Sequence, residues 1–225
     1  MNRSKNRFRA LGLCTMVLGL MAFSTASAQA ELKNHWQVNG TVVSGAASHA
    51  VEVEKIENET ASLLTTINKT SVKFLCKSAK LNGVSLITEG KLTEGTVTFH
   101  SCVTYLNGVL SPPCEPFTGA NKGLIVSEKG KGLLALHEGQ LLTVITPVGV
   151  NFGTIFLGEE CAIGEEVPVT GKLTLKDTEV GVEKTTHLIS EGPLTSLTAL
   201  GNPATIEGAA IVKLTSGLKF KGFML

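Results

Sequence analysis

Beyond the first thirty or so positions, short runs of strict alternation between apolar and polar residues dominate the chain. Val51 and Val53 alternate with Glu52 and Glu54, and Val97 and Phe99 with Thr96, Thr98 and His100. Leu173 and Leu175 alternate with Lys172, Thr174 and Lys176. Near the end, Ala210, Val212, Leu214, Leu218 and Phe220 share one parity, while Lys213, Lys219 and Lys221 take the other. A period of two sends one set toward a core and the other toward water, so each run predicts a strand. Asn-Gly pairs at 39–40, 82–83 and 107–108 predict tight turns, because both residues tolerate the positive φ angles that hairpin turns demand. The best helical candidate, Glu57 to Asn68, mixes Leu63 and Leu64 with Thr60, Thr65 and Thr66 and also reads as strand. Short strands with turn signals at intervals of roughly 8–12 residues predict an all-β domain, an antiparallel β-sandwich of Greek-key type. Two stacked β subdomains are the alternative. The phrases Leu81-Asn82-Gly83-Val84 and Leu106-Asn107-Gly108-Val109 are related, and turn chemistry alone accounts for them.

The first thirty residues follow a different rule. Arg3, Lys5, Arg7 and Arg9 precede an apolar run from Ala10 to Phe23, and small residues end in Ala26-Ser27-Ala28-Gln29-Ala30. A positive end, a short apolar segment and small residues at a cleavage position are the order of a Sec-type signal helix. The apolar run holds 14 residues, short of the roughly 20 that a membrane-spanning helix needs. Residues 1–30 are thus expected to be a signal peptide cleaved after Ala30, with Ala28 the alternative site. Residues 31–225 are expected to form a single all-β domain. Cys14 lies inside the greasy segment after Leu13, which disfavours lipid attachment there. The expected destination is the outside of the cell or the cell envelope, with no transmembrane segment in the mature chain.

That expectation changes the charge and the cysteine count. Removing four basic residues leaves 16 positive against 19 negative charges, so the formal net charge goes from +1 to −3. All arginines fall within the signal. The mature chain therefore lacks the planar fork that grips phosphates bidentately, which argues against nucleic acid as a partner. Cys76, Cys102, Cys114 and Cys161 remain. An even number in an exported chain predicts two disulfides, with three possible connectivities. The turn residues Asn107-Gly108 and Pro112-Pro113 between Cys102 and Cys114 favour Cys102–Cys114 with Cys76–Cys161.

Candidate chemistry is sparse. No Gly-x-Ser-x-Gly elbow occurs. His100-Ser101 puts a possible base beside a nucleophile, but neighbours on a strand point to opposite faces. The five histidines, His35, His49, His100, His137 and His187, are scattered without ligand spacing. Glu159, Glu160, Glu165 and Glu166 form the densest acidic cluster, which reads as a solvated hairpin with charged flanks. It lacks the short Asp and Asn side chains on which calcium loops draw. No phosphate-cradling loop, dinucleotide fingerprint or haem attachment motif is present. No catalytic residue, metal ligand or cofactor is therefore assigned.

Cys161-Ala162-Ile163-Gly164 leading to Val169-Thr170-Gly171, and the closing Gly201-Asn202-Pro203-Ala204-Thr205-Ile206-Glu207-Gly208-Ala209, make the chain resemble uncharacterised secreted all-β bacterial proteins. The resemblance implies export and fold class and carries no activity with it. The sequence thus leads to a secreted, disulfide-stabilised, non-enzymatic binding or cell-surface β protein, whose partner would be an extracellular protein or a cell-envelope component. An extracellular hydrolase assembled from distant residues is the competing class, and a protease-inhibitor-like domain using loop 102–114 is a third.

Overall fold

The computed structural model describes residues 34–55, 59–177, 183–189 and 194–224. The signal-like segment 1–30 lies outside them. In chain order the strands are β1 (Asn34–Val38), β2 (Thr41–Val42), β3 (His49–Lys55), β4 (Ala61–Ile67), β5 (Thr70–Asn82), β6 (Ser85–Leu86) and β7 (Lys91–Leu106). Next come β8 (Val109–Leu110), β9 (Phe117–Thr118), β10 (Asn121–Lys122), β11 (Leu124–Val126), β12 (Gly130–His137), β13 (Gln140–Pro147) and β14 (Asn151–Phe156). The chain continues through β15 (Glu166–Asp177), β16 (Glu183–Ile189), β17 (Ser196–Ala199), β18 (Asn202–Glu207), β19 (Ala209–Leu214) and β20 (Phe220–Met224). Among the described residues the only helical turns are two 3-10 segments, Thr88–Gly90 and Pro112–Cys114. The fold is all-β and its strand pairings are antiparallel, as the alternation predicts. Within Glu57–Asn68, residues 61–67 form strand β4, while residues 57–58 lie outside the described set.

The pairings run around a closed barrel, which differs from two open sheets laid face to face. Its geometry follows from two long strands, β7 and β15, that each serve two sheets. Residues 91–95 of β7 pair with β12, and the circuit continues through β13, the second half of β15, β16, β19, β3 and β6 before returning to β7 at Leu86↔Leu92. Farther along, β7 pairs with β5, and the neighbours are then β4, β18, β17, the first half of β15, β14 and β9.

A strand that leaves one sheet for another must change which side chains face inward. In β7, Val97 and Phe99 line the interior of the barrel, whereas beyond them Cys102 and Thr104 are the buried residues. The parity change falls at Ser101, whose φ of 52° is left-handed and turns the pleat over. In β15 the hand-over falls at Gly171 (φ 109°), where an added Cβ would overlap the Ser196 carbonyl oxygen and lie 3.1 Å from Leu197 Cα. Only glycine fits there.

Two clusters of buried hydrophobic residues result. One contains Ile67, Val72, Phe74, Leu157, Val167 and Ala199. The other contains Trp36, Val38, Leu86, Leu134, Leu214 and Phe220. The small sheet β2-β1-β20 supplies Trp36, Val38 and Phe220 to the second cluster. It is tied down by the Trp36 indole Nε1, which donates to Lys91 O at 3.0 Å, and by Asn34 Nδ2, which donates to Leu134 O at 2.9 Å.

The cysteines pair as Cys76–Cys102 and Cys114–Cys161, with Cα separations of 4.0 and 4.7 Å. This corrects the Cys102–Cys114 and Cys76–Cys161 connectivity favoured from the intervening turn residues. The cause is register: β5 and β7 place Cys76 directly opposite Cys102. Cys114 ends the Pro112–Cys114 turn, which the Thr104 hydroxyl anchors by donating to Cys114 O at 2.5 Å.

Candidate ligand-binding cavity

A cavity of about 340 Å³ lies where the two clusters meet. Phe74, Leu63, Ile155 and Leu197 enter its wall from the first cluster, and Trp36, Val51, Leu86 and Phe220 from the second. Between them the inward residues of the long strands complete it, among them Leu81, Val97, Phe99, Val169 and Leu173. The alternating pattern builds part of the wall directly: Val51 and Val53, Val97 and Phe99, and Leu173 and Leu175, the apolar parities of their runs, all face this space.

Small residues at inward positions keep the space open. Gly130, Gly132, Ala61, Ala79 and Ala210 all line the cavity. At Gly132 an added Cβ would lie 2.5 Å from Leu92 Cδ1 and 2.9 Å from Ile145 Cδ1, so glycine lets those two side chains close over it. At Gly130 the nearest atoms to an added Cβ are Ile145 Cγ2 at 3.4 Å, Thr146 O at 3.5 Å and Phe152 Cε1 at 3.7 Å. A side chain would fit there and occupy part of the space.

Among the described residues, the charged part of the lining is confined to four side chains, and several hydroxyl residues join them. Glu59, just ahead of β4, and Lys77 of β5 border the cavity near one another, because Ala61 pairs with Cys76. Glu128 and Lys131 border it where β11 leads into β12. Thr143 and Ser62, both buried, contribute hydroxyls. Trp36, the one tryptophan in the sequence, is 2% exposed and sits in the wall beside Phe220, with ring centroids 6.4 Å apart.

No family model matches this chain, and no curated protein or solved structure is significantly similar to it. Function must be argued from the site itself.

Among the cysteines, Cys76 belongs to the cavity wall, whereas Cys114 and Cys161 lie in the first hydrophobic cluster. Among the described residues no histidine lines the cavity. A separate surface depression collects His100, Ser101 and Glu115 together with Lys77, Asn121 and Lys122. No hydrogen bond links His100, Ser101 and Glu115 there, so the geometry presents no activated hydroxyl nucleophile. Around the acidic cluster, Cys161 and Ile163 are buried while Glu160, Glu165 and Glu166 are exposed, a solvated turn on two apolar anchors. Among the described residues no group of three or more His, Cys, Asp or Glu side chains is placed to hold a metal ion. Segment 102–114 is a hairpin of β7 and β8 around Asn107 and Gly108, with Val109 and Leu110 exposed.

Sequence reasoning missed the cavity residues. The available signal was the set of small residues, Gly132, Ala79 and Ala210, each two positions before a large apolar residue, Leu134, Leu81 and Val212.

Proposed function

We propose that the protein is an exported binding protein that holds a small apolar molecule inside its barrel. The observation that carries this reading is the cavity of about 340 Å³ walled by hydrophobic side chains from both clusters. Its volume falls within the roughly 300–1,000 Å³ of small-molecule sites, and a barrel of about eight strands is wide enough for one small ligand. Magnitudes point the same way. At about 24 cal/mol per Å³, a cavity this large that packs against nothing forfeits roughly 8 kcal/mol, comparable to the whole stability of a typical domain. An apolar occupant restores those contacts and gains about 25 cal/mol for each Å² it removes from water. Export is supported by the signal-like order of residues 1–30 and by the two disulfides, which persist in oxidising compartments. No helix among the described residues is long and apolar enough to cross a membrane.

Trp36 makes the reading testable. Titrating the purified protein with decanol is expected to change Trp36 emission in a saturable way, since the indole lies in the wall. Gly130→Leu, which places a side chain in the cavity, should weaken that binding by about tenfold while the far-ultraviolet circular dichroism stays unchanged. No saturable change, or equal binding by the folded variant, would remove the cavity as the site.

A further inference from the structure

The cavity and the surface depression share one residue, Lys77. We infer that the occupant is a single-chain amphiphile with an anionic head: its chain lies in the cavity and its head is held at Lys77, in the depression that Lys122 also borders. This rests on the reading of the cavity as a binding site and adds the chemistry of the ligand.

The interior offers an apolar chain what it needs but offers a charged group almost nothing. Its buried polar groups are neutral hydroxyls such as Thr143 and Ser62, and an ion placed there would go unpaired at high cost. A charged ligand must therefore keep its head at the border. Two pairs of charged side chains stand at that border, Glu59 with Lys77 and Glu128 with Lys131. Only Lys77 also opens onto the second recess. Around that recess stand two lysines, Lys77 and Lys122, the Asn121 amide, the Ser101 hydroxyl and the His100 ring, opposed by the single carboxylate of Glu115. Lys77, Lys122, Ser101 and Asn121 are all exposed, so their donors can reach a head group in water. Neither lysine forms a salt bridge among the described residues. A carboxylate or phosphate meets two cations and several neutral donors there, and charge-assisted hydrogen bonds are roughly twice as strong as neutral ones. An ammonium head would meet the same two lysines and be repelled. The lysine stem suits a border position, because its methylenes lie along apolar surface while the ammonium stays solvated.

Competition against a neutral environment-sensitive dye, with Trp36 emission as the second readout, tests the inference. The probes are decanoate, decyl phosphate, decanol and decylamine, each below its micelle-forming concentration, and inorganic phosphate alone. Decanoate and decyl phosphate are expected to bind about tenfold more tightly than decanol, and decylamine more weakly than decanol. Lys77→Gln should bring the decanoate-to-decanol affinity ratio close to one, while Lys80→Gln, an exposed change on the same strand outside both sites, should leave the ratio as it was. Equal affinity of decanoate and decanol, or a preference that survives Lys77→Gln, would overturn the anionic head and leave the cavity as an apolar site. Displacement of bound decanol by inorganic phosphate alone would also overturn it, since the ion would then bind without a chain. If no probe binds, the cavity reading itself falls.

Discussion

At Gly171 the requirement for a missing side chain is absolute, because the Ser196 carbonyl oxygen occupies the place of a Cβ. Backbone cannot retreat there without breaking the pairing of β15 with β17. Gly171→Ala is therefore expected to cost about 3 kcal/mol, read as a lower urea midpoint with the slope unchanged. An unaltered midpoint would mean that β17 does not approach so closely. Thr174 presents the opposite case. Its hydroxyl is fully buried with no hydrogen-bond partner, and an unpaired buried donor carries its desolvation penalty uncompensated. Thr174→Val keeps the shape and removes the hydroxyl, so stability should rise by about 1 kcal/mol. A loss of stability in the same urea experiment would show that the hydroxyl has a partner. Neither residue could be singled out from sequence. The alternation of Leu173 and Leu175 with polar neighbours predicts Thr174 on a wet face, and burial of that face is a property of the assembled barrel.

Elements were legible in proportion to how local their causes are. The left-handed pairs Asn39-Gly40 and Asn107-Gly108 form tight turns where the dipeptides predict them. Equivalent turns at Asn68-Lys69, Glu138-Gly139 and Leu200-Gly201 carry weaker signatures, since none is an Asn-Gly pair. The strands around Val51, Val97, Leu173 and Ala210 follow their alternation. The disulfide connectivity did not follow, because it depends on which edge of β7 meets which strand. Register between β5 and β7 decides it, and no feature near Cys102 records that register. Non-reducing peptide mapping should return Cys76–Cys102 and Cys114–Cys161; any Cys102–Cys114 peptide would contradict the strand pairing. The second bridge closes the longer segment, with a sequence separation of 47 against 26. On a chain-entropy estimate its removal by Cys114→Ser with Cys161→Ser costs about 4 kcal/mol, measurable as a fall in the urea midpoint.

For the molecule as a whole, the cavity is the least legible feature, although Val51 and Val53, Val97 and Phe99, and Leu173 and Leu175 in its wall obey the period-two rule. Alternation states that Val97, Leu173 and Val212 point inward; it does not state whether their tips meet. That depends on how many strands the ring contains and on where Gly130, Gly132 and Ala79 fall across from them. The ring itself closes through partners far apart in the chain. Val51 of β3 pairs with Leu214 of β19, and Thr65 of β4 with Ala204 of β18. Until the last strands arrive, β3 and β4 each present an edge with no neighbour, and an open edge invites pairing with other molecules. Contacts of such long sequence separation also make for slow folding, on the millisecond-to-second scale of all-β domains. The chain thus cannot finish its barrel while it is being synthesised, and spends its early life as an open, pairing-prone ribbon. On the export proposed above, that open ribbon is the form a translocation pore accepts, and the barrel closes only afterwards.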